Sequence, residues 1–319
     1  MDNSHFLVSK GEIEKKILEI NPEYTRKYYN DEHAENDVLV AYIPVTKDSL
    51  LNENLSQKRC VHKYLSICKT NPQPPGIGDF LRGSIALYEL SKKYGYTMYL
   101  DNEHPLFKHL QDSVYIIKDE TLEIMEFIPP MSYDNIHCSL ESRFQLGESI
   151  CLLTNAFYNE LSEDCKQYLK NILRPSIPVQ EKIQDIFTNV YHISSNIEYT
   201  VIHLRFGDKF IHNNEFDSYV YEIYYNKILE LISNRDSVFV IISDSAQIAT
   251  RLQEAIPRLK YWDNHKIHLG DLRSYDNNKD TFDTMVDFFI LSKAKNIYSN
   301  GSGFSMHLSR IFDIPYESI

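Results

Sequence analysis

The stretch TVIHLRFGDKF, residues 200–210, decides how the rest of the chain is interpreted. It begins as an apolar run typical of a buried strand and then changes to charged side chains at Arg205, Asp208 and Lys209. In open α/β sheets, ligands bind in the crevice outside the carboxyl ends of the strands. We therefore expect a strand over 199–204 whose end presents polar groups to a ligand. The alternative is a strand end closed by an ordinary surface ion pair.

A regular alternation of strands and helices after residue 199 indicates the fold class. Apolar runs and helical stripes predict strands at 199–204, 238–243 and 296–299, and helices at 219–233, 246–256, 282–291 and 304–312. The run 238–242 is continuously apolar, as expected for a strand buried on both faces. The pattern predicts an α/β fold with a doubly wound parallel sheet.

A similar unit is expected earlier in the chain, where the apolar run 64–68 leads into a turn rich in proline and glycine. Leu81 begins an amphipathic helical pattern that runs to Tyr94, and a strand is expected at 96–100, which makes a βαβ unit. The candidate ligand-binding residues in the turn are Gly76, Ile77, Gly78 and Asp79. The glycines allow the backbone to turn or to approach another group closely, and Asp79 is expected to cap the helix. A tight turn that binds no ligand is the alternative.

The remaining segments suggest three regions. Strands are expected at 38–44 and 114–117, and helical patterns occur after 148 and around 158–173. Two closely spaced prolines in 174–178 resist both helix and sheet and favour an interdomain link there. We expect an N-terminal appendage at 1–36, a first domain at 37–174 and a second at 175–319.

Composition limits the class of partner. The chain has 319 residues, 43% of them hydrophobic, and its 33 Lys and Arg against 45 Asp and Glu give a net charge of −12. Such a chain repels nucleic acid and anionic membrane surfaces on average, so an anionic ligand must be held by a local basic site. The five cysteines form no C-x-x-C pair and indicate reduced thiols in a cytoplasmic compartment. No secretory h-region and no membrane span are expected.

Polar clusters follow the other predicted strands. Asp244 and Ser245 follow one strand, and Gly301, Ser302, Gly303, Phe304 and Ser305 open the last helix. Small residues at a helix N-terminus offer backbone N–H groups and the helix dipole to an anion, although an ordinary N-cap has the same appearance. Because these ends share one sheet edge, we expect a phosphate-bearing ligand there with Arg205 as its charged partner.

An acidic pair lies on the helix at 282–291. Asp283 and Asp287 share one face, and we expect Asp283 to lie in an ordinary solvated stripe. The chain contains no Asp-x-Asp pair, which is the usual means of holding a divalent metal on the diphosphate of a sugar nucleotide. We expect no metal and no cofactor, with Arg205 and helix amides neutralising the diphosphate.

A family resemblance connects these segments. HLRFGDK resembles the H-x-R-x-x-D-K signature of GDP-fucose-dependent α1,2- and α1,6-fucosyltransferases and protein O-fucosyltransferases. Three further segments resemble family motifs in the same order: PPGIGDFLRGSIALYELSKKYGYTMYL, VFVIISDS and DFFILSKAKNIYSNGSGFSMHLSRI. The resemblance covers roughly 64–100 and 199–311.

The resemblance implies a GT-B fold, in which two Rossmann-like domains with doubly wound parallel sheets face each other across a cleft. The second domain would bind GDP-fucose and the first an acceptor, and fucose would move to a hydroxyl of a glycan or other acceptor with inversion and without a metal. By position, Arg205 would contact the β-phosphate, His203 and Asp287 would lie near the guanine, and the backbone of 302–305 would hold the diphosphate.

The sequence departs from the family pattern at two positions. The α1,6 enzymes have a second arginine where this chain has Phe206, and their acidic base comes slightly earlier than Glu215. The base stays open between Asp208 and Glu215, and we favour Glu215 as base with Asp208 orienting Arg205. Two other functions stay open: a GT-B enzyme that uses another nucleotide sugar, and a non-catalytic GT-B protein that binds a glycan or a partner chain. Acceptor, linkage and oligomeric state are not given by the sequence.

Overall fold

The computed structural model describes residues 58–63, 76–102, 105–117, 124–127, 133–194, 196–207, 217–264 and 278–319. The chain forms two compact units. The first comprises Met1–Pro75, Asp79–His104 and Val114–Ser162, and the second comprises Gly76–Gly78, Pro105–Ser113 and Glu163–Ile319.

The described strands and helices alternate along the chain. The strands are β1 Arg59–His62, β2 Thr97–Asp101, β3 Ile116–Ile117, β4 Ile124–Phe127, β5 Ile150–Thr154, β6 Tyr199–Leu204, β7 Val238–Ser243, β8 Leu259–Tyr261, β9 Asn296–Ser299 and β10 Tyr316–Ser318. The α-helices are α1 Ile77–Lys93, α2 Tyr133–Leu146, α3 Glu163–Ile172, α4 Ile177–Asp185, α5 Ser218–Ser233, α6 Ala246–Ala255, α7 Asn278–Leu291 and α8 Gly303–Phe312.

The first unit is built on a parallel sheet of five strands in the order β3-β2-β1-β5-β4. Helix α1 buries an apolar face that includes Phe80, Leu81 and Ile85, each at most 1% exposed. Gly83 is required where this helix meets β5, because a Cβ at that position would lie 2.0 Å from the carbonyl oxygen of Thr154. The close approach of helix to strand therefore depends on a residue without a side chain.

A buried histidine joins three elements of this unit. His62, at the end of β1, has its Nδ1 2.9 Å from the Ser84 hydroxyl of α1, and its Nε2 donates to the Thr154 carbonyl at 2.9 Å. Its ring stacks on Phe80 with a centroid separation of 4.6 Å. Burial lowers the pKa of His62 to about 4, although the bond to Thr154 opposes that shift. The histidine is neutral at pH 7.

The second unit has a parallel sheet in the order β10-β9-β6-β7-β8. Strand β6 lies between β7 and β9, and all six of its residues are buried. One face of the sheet packs with α5 and α6 in a core that includes Ile202, Ile228, Phe239 and Leu252. The central position of β6 brings the ends of β7 and β9 to either side of Arg205.

Most predicted elements of the second unit are confirmed. The strands at 199–204, 238–243 and 296–299 have the predicted bounds, and α5, α6, α7 and α8 match the predicted helices to within four residues at either end. In the first unit, α1 and β2 are confirmed, and β3 forms the end of the strand expected at 114–117. The α/β fold with two parallel sheets is confirmed.

Three local predictions are wrong. The segment after residue 148 is not helical but forms β5, since ICLLT is an apolar run buried at every position, typical of an interior parallel strand. Pro178 does not exclude a helix, because it lies in the first turn of α4, where a missing N–H costs nothing. Asp79 is not a cap, since α1 already begins at Ile77; its carboxylate pairs instead with Arg82 at 2.9 Å.

Other expectations have different outcomes. The sequence patterns missed α2, α4 and the strands β1, β4, β8 and β10, which are mostly short. The stretch 174–178 lies inside the second unit. The appendage at 1–36 and the expected strands at 38–44 and 64–68 lie outside the described residues. The domain limits at 36, 37 and 174 stay predictions.

Within the described part of the chain, no helix is both long and apolar enough to cross a membrane.

Candidate nucleotide-sugar site

The three residues after β6 leave the sheet in a conformation fixed by side chains from both neighbouring strand ends. Arg205 N donates to Asn300 Oδ1 at 2.8 Å, Phe206 N donates to Asp244 Oδ1 at 2.9 Å, and Gly207 N donates to Asp244 Oδ2 at 2.9 Å. Gly207 has a φ of 105°, which favours glycine. The exit from β6 is therefore held by hydrogen bonds beyond the end of the sheet.

Asp244 also holds the arginine side chain. Its Oδ2 lies 3.4 Å from Arg205 Nε, and the Asp244 side chain is 6% exposed while that of Arg205 is 30% exposed. Burial raises the pKa of Asp244 above its ordinary 3.8, whereas the Phe206 N–H, the Arg205 charge and the Gly207 N–H oppose that rise. The guanidinium is thus anchored at Nε on one side and partly open to solvent.

Asn300 is a residue that the sequence analysis quoted without assigning a role. Its Nδ2 donates to the Arg205 carbonyl at 2.9 Å, so the amide both donates to and accepts from the backbone of one residue. The sequence contains a feature that could have predicted this role: an asparagine is the first residue after β9, and its amide can take the place of a peptide group in pairing with a neighbouring strand. Only the strand order reveals that β9 lies beside β6.

The first turn of α8 carries the residues predicted to bind phosphate. Gly301 turns the chain with a φ of 98°, and Ser302 is the N-cap, whose hydroxyl accepts from Phe304 N at 3.3 Å. A helix start leaves backbone N–H groups without intrahelical acceptors. The predicted anion site therefore has a true helix N-terminus, and one of its hydroxyls already serves as the cap.

His203 is linked to α8 through a buried hydroxyl network. Its Nδ1 lies 2.8 Å from the Ser305 hydroxyl, which is in turn 3.1 Å from the Ser299 hydroxyl and 3.2 Å from the Ser302 carbonyl. The Ser305 hydroxyl has one proton to donate among these partners, and the tautomer of His203 decides the direction of the bond between His203 and Ser305. The ring of His203 lies 5.6 Å from that of Phe304. The structure thus brings the predicted residues of β6 and α8 together.

Gly78, in the first turn of α1, lies close to α8 within the second unit. A Cβ at Gly78 would be 2.8 Å from Phe304 N and 2.9 Å from the Gly303 carbonyl carbon. Gly78 therefore allows a close approach of two backbones, which is a use of glycine that the sequence predicted. The Ser245 hydroxyl caps α6 by accepting from Ile248 N at 3.3 Å. Ligand binding by these residues stays a prediction.

The acidic pair on α7 is buried. Asp283 is 7% exposed, so the expectation of a solvated stripe is wrong, because α7 has neighbours on the face that carries this pair. Asp287 is 5% exposed, and its Oδ2 accepts from Asn264 Nδ2 at 3.4 Å. Burial raises the pKa of Tyr191, and the charge of nearby Asp287 raises it further. Asp287 therefore lies in an interior polar cluster, and its role near guanine stays a prediction.

Both candidate bases, Asp208 and Glu215, lie outside the described residues. Among the described residues, Asp244 is a carboxylate that lies beside Arg205. The expected role of Asp208 in orienting Arg205 stays a prediction. Within the described ranges, no group of three or more His, Cys, Asp or Glu side chains is arranged to hold a metal ion.

Comparisons with known proteins extend only to the fold. No family model matches the chain, and no curated protein matches it. A structure of NodZ α1,6-fucosyltransferase soaked with GDP-fucose matches with a TM-score of 0.53 at 14% identity, covering 80% of this chain and 92% of that one. An arginine-to-lysine mutant of Arabidopsis thaliana FUT1 in complex with GDP matches with a TM-score of 0.54 at 11% identity, covering 93% and 74%.

A third match is the apo form of POFUT1, with a TM-score of 0.50 at 11% identity, covering 84% of this chain and 99% of that one. The sequence identities are low, whereas the similarity extends over most of both chains. The likeness in fold that the four sequence motifs predicted is therefore confirmed: the chain has the mixed α/β, GT-B type fold of GDP-fucose-dependent fucosyltransferases.

Proposed function

We propose that the protein is an inverting, metal-independent glycosyltransferase that moves fucose from GDP-fucose to a hydroxyl of a glycan or other acceptor. The observation that carries the proposal is the anchored arginine at the end of β6. Arg205 has its backbone tied to Asn300 and its Nε beside Asp244. The fold shared with fucosyltransferases supports the same assignment.

Charge development explains what such an arginine does. When the bond between the sugar C1 and the phosphate oxygen breaks, negative charge grows on the β-phosphate of the leaving GDP. A guanidinium held in place beforehand stabilises that charge more than it stabilises the intact donor, which accelerates the reaction. Asp244 lies beside the Nε of Arg205, and a guanidinium is a planar fork of N–H donors that matches the oxygens of a phosphate.

The α8 N-terminus supplies the complementary contact. Its first-turn amides and dipole would hold the other phosphate oxygens. Gly78 lies against this turn, where a side chain would collide with the backbone of 303 and 304. His203 and Asp287 are assigned to the guanine, and Glu215 to proton removal from the acceptor hydroxyl, with Asp208 as the alternative base.

The test is turnover of a panel of donors. The purified protein should hydrolyse or transfer from GDP-fucose in preference to GDP-mannose and UDP-glucose, and GDP should raise the melting temperature more than UDP. Arg205→Ala should lower kcat/KM by about 10²–10³-fold, the scale of removing one preorganised donor to developing charge. Arg205→Lys should recover only part of the loss, because an ammonium lacks the planar fork.

The control variant is Arg143→Ala, which removes a guanidinium from the first unit that lies 3.8 Å from Glu148. It should keep wild-type kcat/KM. Turnover of another nucleotide sugar in place of GDP-fucose would assign a different donor. GDP binding without hydrolysis or transfer of any donor would instead identify a non-catalytic binding protein.

A further inference from the structure

The side chain of Asn300 continues the pairing of β6 with β9 after the backbone ladder has ended. The two strands pair in register up to His203 and Ser299, and Asn300 N then donates to the His203 carbonyl at 3.4 Å. Beyond this point the backbone of β9 turns away at Gly301. The amide of Asn300 then bonds both the N–H and the carbonyl of Arg205, at 2.8 and 2.9 Å.

Few side chains can make this pair of bonds. A carboxamide has an acceptor and a donor side by side, as a peptide group does, whereas a carboxylate only accepts and an alanine does neither. The bonds therefore fix the Arg205 backbone at both its polar atoms. Asp244, in contrast, bonds the next two N–H groups and the arginine Nε, so it leaves the Arg205 carbonyl untouched.

We propose that Asn300 is the positioning residue of Arg205 in glycosyl transfer, an inference that rests on the function proposed above. It touches neither donor nor acceptor in this role. By holding the arginine Cα it sets where the guanidinium meets the leaving phosphate. Since an error of about 1 Å in placement can cost about 10²-fold in rate, a loosened arginine should weaken transition-state stabilisation more than donor binding.

The experiment is a double-mutant cycle on kcat and KM for GDP-fucose. Asn300→Ala should lower kcat by about 10- to 100-fold and change KM by no more than about threefold. Asn300→Asp, which keeps an acceptor for the Arg205 N–H but faces the Arg205 carbonyl with a second oxygen, should also lower kcat. In the Arg205→Ala background, adding Asn300→Ala should lower kcat by no more than about twofold, because the residue acts through the arginine.

The matched control is Asn234→Ala, which removes an amide that also donates to a backbone carbonyl, that of Glu230, at 3.1 Å. It should leave kcat unchanged. The melting temperature of each variant shows whether a loss of kcat comes from a loss of folding. If Asn300→Ala does not fold, Asn300→Asp replaces it in the kinetic test.

Two outcomes would overturn the inference while the proposed function stands. One is a wild-type kcat in folded Asn300 variants, and the other is an independent, multiplicative loss when Asn300→Ala is added to Arg205→Ala. A wild-type protein that turns over no donor would overturn the proposed function instead, and the wild-type assay distinguishes this case before any variant is made.

Discussion

At the scale of single residues, Asp244 combines two tasks that depend on its being ionised. It accepts hydrogen bonds from the N–H groups of Phe206 and Gly207, and it lies 3.4 Å from the Nε of Arg205. Burial raises its pKa above 3.8 despite these partners. Protonation of Asp244 would turn one of its accepting oxygens into an O–H donor, at the point where the chain leaves β6.

We expect acid to weaken catalysis through Asp244. As pH falls through its raised pKa, kcat/KM for donor turnover should fall, because the arginine loses its anchor. The sign for stability is opposite: a carboxyl whose pKa is raised in the folded state binds its proton more tightly when folded, so its contribution to stability is largest at low pH and is lost as pH rises through the folded pKa. The check is kcat/KM and melting temperature measured side by side from neutral to acidic pH.

Asp244→Asn supplies the control for this expectation. The variant should have a kcat/KM lower by about 10²-fold at neutral pH, since an amide cannot pair with the guanidinium as a carboxylate does. The fall in kcat/KM that protonation of Asp244 causes at acidic pH should be absent from this variant. If kcat/KM of Asp244→Asn fell with acid as it does in the wild type, the fall would belong to another residue.

The positions of residues were predictable from sequence where position on a strand was enough. Arg205 and Asp244 were expected at one edge of the sheet because each follows a buried strand, and the structure brings them together there, while their binding of a ligand stays a prediction. Asn300 was not found, since its role depends on β9 being the neighbour of β6, although about 90 residues separate them in the chain. The burial of Asp283 was missed for a related reason: a local pattern does not indicate which faces of α7 another element covers.

At the scale of elements, the first unit depends on one histidine that bridges β1, α1 and β5. His62 is fully buried and neutral, and both ring nitrogens have partners. Its pKa is lowered to about 4 from 6.5, so the unfolded chain binds a proton at mildly acidic pH that the folded chain does not. Its contribution to stability is therefore complete above about 6.5 and is lost as pH falls towards 4.

We expect acid to lower the free energy of unfolding by up to about 3 kcal/mol through this histidine alone. His62→Gln keeps a donor for the Thr154 carbonyl but does not titrate. It should be less stable than wild type at about pH 7 and should lose less stability on going to about pH 5. Urea unfolding at both pH values measures the difference.

The control is Gln145→Ala, which changes an exposed side chain of α2 in the same unit that carries no titratable group. It should keep the wild-type dependence of stability on pH. Equal pH dependence in wild type and His62→Gln would mean that His62 does not carry the effect.

The elements themselves were predicted unevenly, for a physical reason. The buried runs of β6 and β7 have six residues each and were predicted as strands, whereas the five-residue run of β5 was predicted to be helical, because a short apolar run fits either element. The strands β3, β8 and β10 have two or three residues each, and pairing with neighbours stabilises them more than their own composition does. Helix α4 was missed because its proline is favourable at one position only, the first turn.

At the scale of the whole molecule, the net charge of −12 opposes an anionic donor. Local groups must overcome this field, and in the proposed site they are Arg205 and the first-turn amides of α8. We therefore expect donor turnover to survive removal of divalent ions. The measurement is transfer from GDP-fucose by EDTA-treated protein, with and without added Mg²⁺ or Mn²⁺.

Equal rates under these conditions are the expected result. Loss of transfer in EDTA with recovery on adding metal would contradict this description of the site. The melting temperature of the wild-type protein with and without EDTA controls for an effect of the chelator on folding.

The second unit is not one continuous piece of chain, and this has a consequence for how such a protein can be altered. The segment Pro105–Ser113 belongs to it, with His109 Nε2 3.0 Å from the Thr281 hydroxyl and Leu110 paired to Pro175. A fragment that starts at Glu163 would lack both contacts and the turn at Gly76–Gly78. Recombination at a single crossover would therefore exchange an incomplete module, and exchange of the whole second unit between related genes would require all five junctions that bound its three segments.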